Sequence, residues 1–145
     1  MNENQHPITI LMAEDDPDDR FLVQEAFNKS GIVGTLQFVN DGEQLVSCLL
    51  EGDPHAALPQ SPFSCLLLDL NMPRKDGREA LREIRRHPAF QRLQIVVLTT
   101  SDSADDRKFC QNLGIAEYVT KPDNFVELVA LMNRIETICD KPPAS

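Results

Sequence analysis

The sequence is short of positive charge: 14 Lys and Arg stand against 23 Asp and Glu, a net charge of −9. Such a balance repels phosphate backbones and anionic lipid unless a basic face is locally concentrated, so nucleic acid is a poor first expectation. Long apolar runs are missing too. No stretch approaches the roughly 20 apolar residues of a membrane-spanning helix. The opening MNENQHP has neither the basic nor the apolar segment of a signal peptide. The expectation is a soluble, cytoplasmic protein with no membrane partner. Four cysteines, Cys48, Cys65, Cys110 and Cys139, lie far apart, with no CxxC pair and no histidine at ligand spacing. Each has apolar neighbours, so they read as small, reduced core residues and not as a disulfide or zinc site. His6, His55 and His87 fall in a tail, a loop and a helix end, where none is a credible ligand or catalytic base. Repeats and low-complexity blocks are also absent.

What is present fits one domain: 145 residues, 41% of them hydrophobic, are enough for one proper core. Short apolar runs alternate with helical patterns five times, which predicts a parallel sheet. The predicted strands are Ile8 to Ala13, Leu36 to Val39, Cys65 to Leu68, Ile95 to Leu98 and Glu117 to Val119. Most are continuous apolar runs, as when both sheet faces are covered. Helical spacing places buried faces at Val23, Ala26 and Phe27, then at Leu45, Val46, Leu49 and Leu50. Ala80, Leu81 and Ile84 mark the third helix, and Phe109, Cys110 and Leu113 the fourth. Phe125, Leu128, Val129, Met132 and Ile135 mark the fifth. Ser30-Gly31, Gly52 and Gly114 supply stop signals. The stretch EGDPHAALPQSPFS, residues 51 to 64, reads as a surface loop. The expected division is a tail over residues 1–7, a domain over 8–139 and a second tail over 140–145.

Ligand crevices of open parallel sheets lie at the carboxyl ends of the strands. The first strand runs into Glu14, Asp15 and Asp16, and the third into Asp69, Leu70 and Asn71. The fourth ends in Thr99, Thr100 and Ser101; the fifth carries Tyr118 and leads to Lys121 and Pro122. In a flavodoxin-like order, 2-1-3-4-5 with helices on both faces, Glu14, Asp15 and Asp69 converge across about one interstrand spacing of ~4.8 Å. Three carboxylates so placed repel. Either their pKa values rise or a hard cation neutralises them, and an all-oxygen donor set suits Mg²⁺. Carboxylate-held Mg²⁺ facing a lysine and a hydroxyl is equipment for phosphoryl transfer, in which Asp69 is the candidate nucleophile.

The segments ILMAEDDP, LLLDLNMPRKDG, VVLTTSD and EYVTKPD, in that order and spacing, resemble the receiver domain of bacterial two-component response regulators across nearly the whole chain. The resemblance implies an acidic pair at Glu14 and Asp15, a phosphoacceptor at Asp69, a hydroxyl residue at Thr99 and a lysine at Lys121. It implies Mg²⁺ bound by Glu14, Asp15, Asp69 and the backbone carbonyl of Asn71. Asp16 is set aside, because the strand ends at Ala13 and the family's proline falls on Pro17. Tyr118 matches the aromatic that swings inward on activation, which makes the fourth helix and fifth strand the output face. Thr100 stands where receivers more often carry a smaller residue. The implied partner is a sensor histidine kinase, such as a bacterial phytochrome, or a phosphotransfer protein. The long loop and the LTTSD run look like stand-alone regulators associated with phytochromes. In such regulators a homodimer forms through the fourth helix, fifth strand and fifth helix. The protein is then a self-catalysing phosphoacceptor switch and not a conventional enzyme. The Lys121–Pro122 peptide is commonly cis in such receivers.

Simpler explanations exist for single residues. The acids from Glu14 to Asp19 also suit a solvated helix start, and Asp69 alone also suits a turn. Coincidence of acids, hydroxyl and lysine on one sheet edge favours a site. Arg78, Arg82, Arg85 and Arg86 share a helix face that reads as solvated and laced with salt bridges, since Glu79 and Glu83 dilute it and no aromatics interleave. Two other functions stay open. One is a magnesium phosphatase working through an aspartyl-phosphate, which would need a carboxylate where Asn71 stands. The other is a scaffold that binds partners without phosphorylation.

Overall fold

The computed structural model describes residues 7–50, 63–72 and 75–140. Strands β1 (Ile8–Ala13), β2 (Gly34–Val39), β3 (Cys65–Leu68), β4 (Gln94–Thr99) and β5 (Glu117–Thr120) alternate with helices α1 (Pro17–Ser30), α2 (Gly42–Leu50), α3 (Gly77–Arg86), α4 (Ala104–Asn112) and α5 (Phe125–Asp140). The ladders are all parallel in the order β2-β1-β3-β4-β5, the flavodoxin-like arrangement expected from the sequence. Residues 51–62, which carry most of the expected surface loop and its Gly52, lie outside the described residues, as do 1–6 and 141–145.

The pleat sorts each strand's side chains into two cores. Ile8, Ile10 and Met12 of β1, Cys65 and Leu67 of β3, and Val96 and Leu98 of β4 face α1 and α5. Leu11 and Ala13, Leu66 and Leu68, and Ile95 and Val97 face α2, α3 and α4. Each fully buried Leu, Ile or Val contributes about 1.5–3 kcal/mol, so β1, β3 and β4 carry most of the core. The edge strand β2 begins at Gly34, two residues before its apolar run, because Ile8 pairs with Gly34. A Cβ at position 34 would lie 1.9 Å from the Ile8 carbonyl oxygen, and φ is +153°. Glycine is required there.

Capping explains the helix starts. Asp16 is the N-cap of α1, accepting from the Asp18 and Asp19 amides at 2.8 and 3.4 Å with Pro17 in the first turn. Asp76 caps α3 and Ser103 caps α4. Gly31 and Gly114 adopt left-handed conformations just past α1 and α4, as their stop signals predicted. Two expected burial positions are corrected: Leu50 is 51% exposed and Phe125 40% exposed. Both lie at helix ends, where the buried stripe has already turned away from the sheet. Cys65 and Cys110 are buried, whereas Cys48 and Cys139 are only half-buried, and all four are free thiols. Contact with Cys139 and burial together push the Cys65 thiol well above its usual pKa, so it behaves as an inert core residue.

The arginine face of α3 is not simply solvated, which corrects the sequence reading. Arg85 donates from Nε to Leu113 O at 2.8 Å, from Nη1 to Phe90 O at 2.8 Å and from Nη2 to Gly114 O at 3.0 Å. It thereby holds the C-terminal end of α4, where carbonyl oxygens lack helical partners. Arg82 lies over the Phe109 ring at 5.2 Å, and Arg78 reaches Asp106 in α4. Pattern reasoning could not see the partners in and just after α4, because they lie about 28 residues away. Replacing Arg85 by Ala is expected to lower stability by about 2 kcal/mol, through loss of charge-assisted bonds to carbonyls that only partly find water. Lysine should recover little of this, since it lacks the planar fork. Urea unfolding of the three proteins checks it.

Candidate functional site

The site is built at the carboxyl ends of β1 and β3. Register fixes it: Ala13 pairs with Leu68, so the residues that follow, Glu14 and Asp69, leave the sheet side by side. Ligand oxygens of Glu14, Asp15 and Asp69 all lie within 4.8 Å of one another. Glu14 is 1% exposed and Asp69 4% exposed, whereas Asp15 is open to solvent. Burial raises the Glu14 pKa, the charge of Asp69 adds to this, and the bond from Lys121 only partly opposes it. Asp16 spends its carboxylate on the α1 cap, and its own amide donates to Glu14 Oε2 at 3.2 Å. Setting it aside as a ligand agrees with this placement.

Lys121 supplies the positive charge. Its Nζ lies 2.6 Å from Glu14 Oε1, 2.7 Å from Asp19 Oδ2 and 3.5 Å from Asp69 Oδ2. Burial works against its charge, but the bonds to Asp19 and Glu14 and the field of Asp69 outweigh this, so its pKa is raised. The expected cis bond before Pro122 is absent: no peptide among the described residues is cis. Lysine reaches the acids without one, because its amide is tied to Thr99 O at 2.8 Å and the carboxylates draw its ammonium inward. Asp19 is a site neighbour that sequence reasoning missed. The available signal was its place one helical turn beyond Asp15, on the same rim.

Thr99 ends β4, fully buried, and its Oγ1 accepts from the Ser101 amide at 3.3 Å. Asn71 is exposed, and its amide donates to Asp69 Oδ1 at 3.1 Å, steadying the carboxylate. Tyr118 is not among the acids. Its ring is buried beside α4, with Oη donating to Ser101 O at 2.8 Å and the Arg107 guanidinium 4.6 Å from the ring centre. Thus Glu14, Asp15, Asp69 and Lys121 meet at one point, with Thr99 on the adjoining strand and Tyr118 in a second location linked through Ser101. Chemically, a buried carboxylate flanked by two acids and an ammonium can act as a nucleophile once a cation offsets the charge around it.

This architecture and acid–lysine grouping define a receiver. The response regulator receiver domain family matches residues 10–133, and the chain belongs to it. It is 37% identical over 136 residues to the response regulator Rcp1 of Synechocystis sp., spanning 94% of this chain and 91% of that protein. The Mn²⁺-bound form of Rcp1 superposes with a TM-score of 0.79 over 95% of this chain and 100% of that one. The phosphorylated cyanobacterial phytochrome response regulator RcpA, 33% identical, gives 0.81 over 96% and 100%. The receiver domain of the sensor histidine kinase PA1611 from Pseudomonas aeruginosa, 27% identical, gives 0.69 over 89% and 97%, and has magnesium coordinated in its active-site cleft.

Proposed function

We propose that this chain is a phosphorylation switch. Asp69 takes a phosphoryl group from a phosphohistidine of a sensor histidine kinase, of the bacterial phytochrome type, or of a phosphotransfer protein. The observation that carries this reading is the convergence of Glu14, Asp15, Asp69 and Lys121 at the ends of β1, β3 and β5. The donor set is hard and oxygen-only, with one ammonium for three ligand carboxylates, so it fits Mg²⁺. Glu14, Asp15, Asp69 and the carbonyl of Asn71 would hold the ion, which supplies charge neutralisation at the transferring oxygens.

The protein's own groups do the rest. An Asp69 carboxylate oxygen forms the new bond to phosphorus while the phosphorus–nitrogen bond to the donor imidazole breaks, and the imidazole leaves with the electron pair. Lys121 offsets charge on the transferring oxygens, and the Thr99 hydroxyl donates to the transferred group. Hydrolysis later restores Asp69, so the protein catalyses only its own modification. The change passes to a face of α4, β5 and α5, which meets other proteins and supports a homodimer. Nucleic acid does not fit this role, since Arg78 and Arg85 are engaged with α4 and the chain's net charge is −9. No described helix is long and apolar enough to cross a membrane; with a kinase as donor, we place the protein in the cytoplasm.

Intact-mass measurement after incubation with a small acyl phosphate, with and without Mg²⁺, tests the reading. A single phosphoryl adduct that requires both Mg²⁺ and Asp69, and is lost in Asp69→Asn, is the expected result. Steady phosphate release without an adduct would replace the switch by a phosphatase. Neither adduct nor release would leave a binding scaffold.

A further inference from the structure

A second set of polar side chains lies outside the acid cluster and joins it to α4. Arg78, in the first turn of α3, donates from Nε and Nη2 to the two carboxylate oxygens of Asp106 at 2.6 and 2.5 Å. Its Nη1 donates to Asp76 Oδ2 at 3.0 Å and to the carbonyl of Leu70, the residue after Asp69, at 3.4 Å. Asp106, in the first turn of α4, also accepts from Ser101 Oγ at 2.7 Å. Ser101 faces two ways: its amide donates to Thr99 Oγ1 at 3.3 Å and its carbonyl accepts from Tyr118 Oη at 2.8 Å. An unbroken line of bonds therefore runs from the chain beside Asp69 to both Thr99 and Tyr118.

Most surface ion pairs are worth little, because two free side chains must be ordered in water. This pair differs in three respects. It is bidentate, and so directional. Only 16% of the Asp106 side chain is exposed. Each partner is also bonded on its own element, Arg78 to the loop after β3 and Asp106 to the loop after β4, so the pair cross-links two loops at the site's rim. The Arg78 guanidinium, followed by the Ser101 hydroxyl, holds the Asp106 carboxyl down to about 2, so the link is charged at neutral pH.

We propose that Arg78, Asp106 and Ser101 are positioning residues that hold the Thr99 hydroxyl and the Tyr118 ring in fixed relation to Asp69. The ion pair between α3 and α4 is then the link by which modification at Asp69 reaches the α4 face. The inference rests on Asp69 being the phosphoacceptor. Its physical basis is that Ser101 cannot follow a movement of Thr99 without altering either its bond to Asp106 or the one it accepts from Tyr118.

The chain has one tyrosine and no tryptophan, so its intrinsic emission and near-ultraviolet dichroism report on Tyr118 without labelling. The full chain is treated with a small acyl phosphate and Mg²⁺, and the tyrosine signal change is divided by the adduct measured by intact mass. In Asp106→Asn and Ser101→Ala the change per phosphoryl group is expected to fall at least about threefold, the lower range for residues sharing one network. Ser101→Thr, which keeps the hydroxyl that Asp106 accepts from, should retain most of it. A wild-type-sized change in both single variants overturns the proposal, as does the absence of any tyrosine change in phosphorylated wild type. Should wild type take up no phosphoryl group, the phosphoacceptor reading fails instead. The link is then judged on untreated protein, where Asp106→Asn must alter the Tyr118 dichroism, and an unchanged spectrum overturns it. Ser101→Ala removes only one hydroxyl, so the test survives if Asp106→Asn does not fold.

Discussion

Replacing Lys121 by Ala is expected to cost the metal-free protein about 3 kcal/mol near neutral pH, because removal of one member of a buried ion pair leaves the others uncompensated. Glu14 and Asp69 are almost wholly enclosed, and Lys121 is the only ammonium or guanidinium within 4.0 Å of either carboxylate among the described residues. Two conditions should return part of the loss. Mg²⁺ would neutralise the same carboxylates from the open side. Lower pH would protonate Glu14, whose pKa is raised already. The sign follows from linkage: a carboxyl that binds its proton more tightly folded than unfolded favours the fold as pH falls toward its folded pKa, and penalises it above. Urea unfolding of both proteins, with and without Mg²⁺ and at two pH values, measures all three effects. The acyl-phosphate reaction should slow by about 10²-fold, as when one charge-stabilising donor is removed. A variant as stable as the wild type at neutral pH without metal would mean that the carboxylates do not need Lys121.

The second large effect is expected from a methyl group. Gly77 opens α3 beneath the site, and a Cβ there would stand 2.4 Å from the Asp69 carbonyl oxygen and 2.7 Å from Leu70 Cα. In a helix, Gly→Ala ordinarily gains up to about 1 kcal/mol. Here the obstructing atoms are backbone, and overpacking of this kind costs about 1–3 kcal/mol, so the steric term decides the sign. Gly77→Ala should therefore lower stability by up to about 2 kcal/mol net, the difference of those two terms. Its effect on phosphorylation should be larger, about 10²-fold, because the atoms that must yield carry Asp69, and a displacement near 1 Å suffices for such a loss. Rates from mass spectrometry set beside unfolding curves separate the two. Equal activity in a destabilised protein would show that the strain is absorbed elsewhere in α3.

Much of the fold and of the acid cluster is legible in the amino-acid order alone. The short apolar runs CLLL and QIVVL read as strands buried on two faces, and once five such runs alternate with helical spacing the sheet order places Glu14 beside Asp69. Strand ends are legible because a charge closing an apolar run marks where the sheet meets water. What stays hidden depends on partners distant in sequence. Asp19 shows only its place one helical turn beyond Asp15, a weak sign of its bond to Lys121, since helix starts commonly carry acids. Arg78 and Arg85 share a face with Arg82 and Arg86, and periodicity alone cannot separate arginines that grip a neighbouring helix from those left in water. Gly77 and Gly34 are silent for a related reason: the close approach of backbone that requires them is a property of register.

One helix differs from the rest in what holds it down. Only Cys110 of α4 is buried, with Phe109 and Leu113 partly covered, while Arg78 and Arg85 fasten its two ends. A helix attached in this way resembles a plank on two pins more than a plug in a socket. Lifting it exposes little hydrocarbon, so the motion carries a small heat-capacity change and responds weakly to temperature. It should respond instead to dissolved ions, because screening weakens the attraction at the Asp106 pin. The ionic medium would thus set how readily this face rearranges, while the cores on both sides of the sheet stay intact.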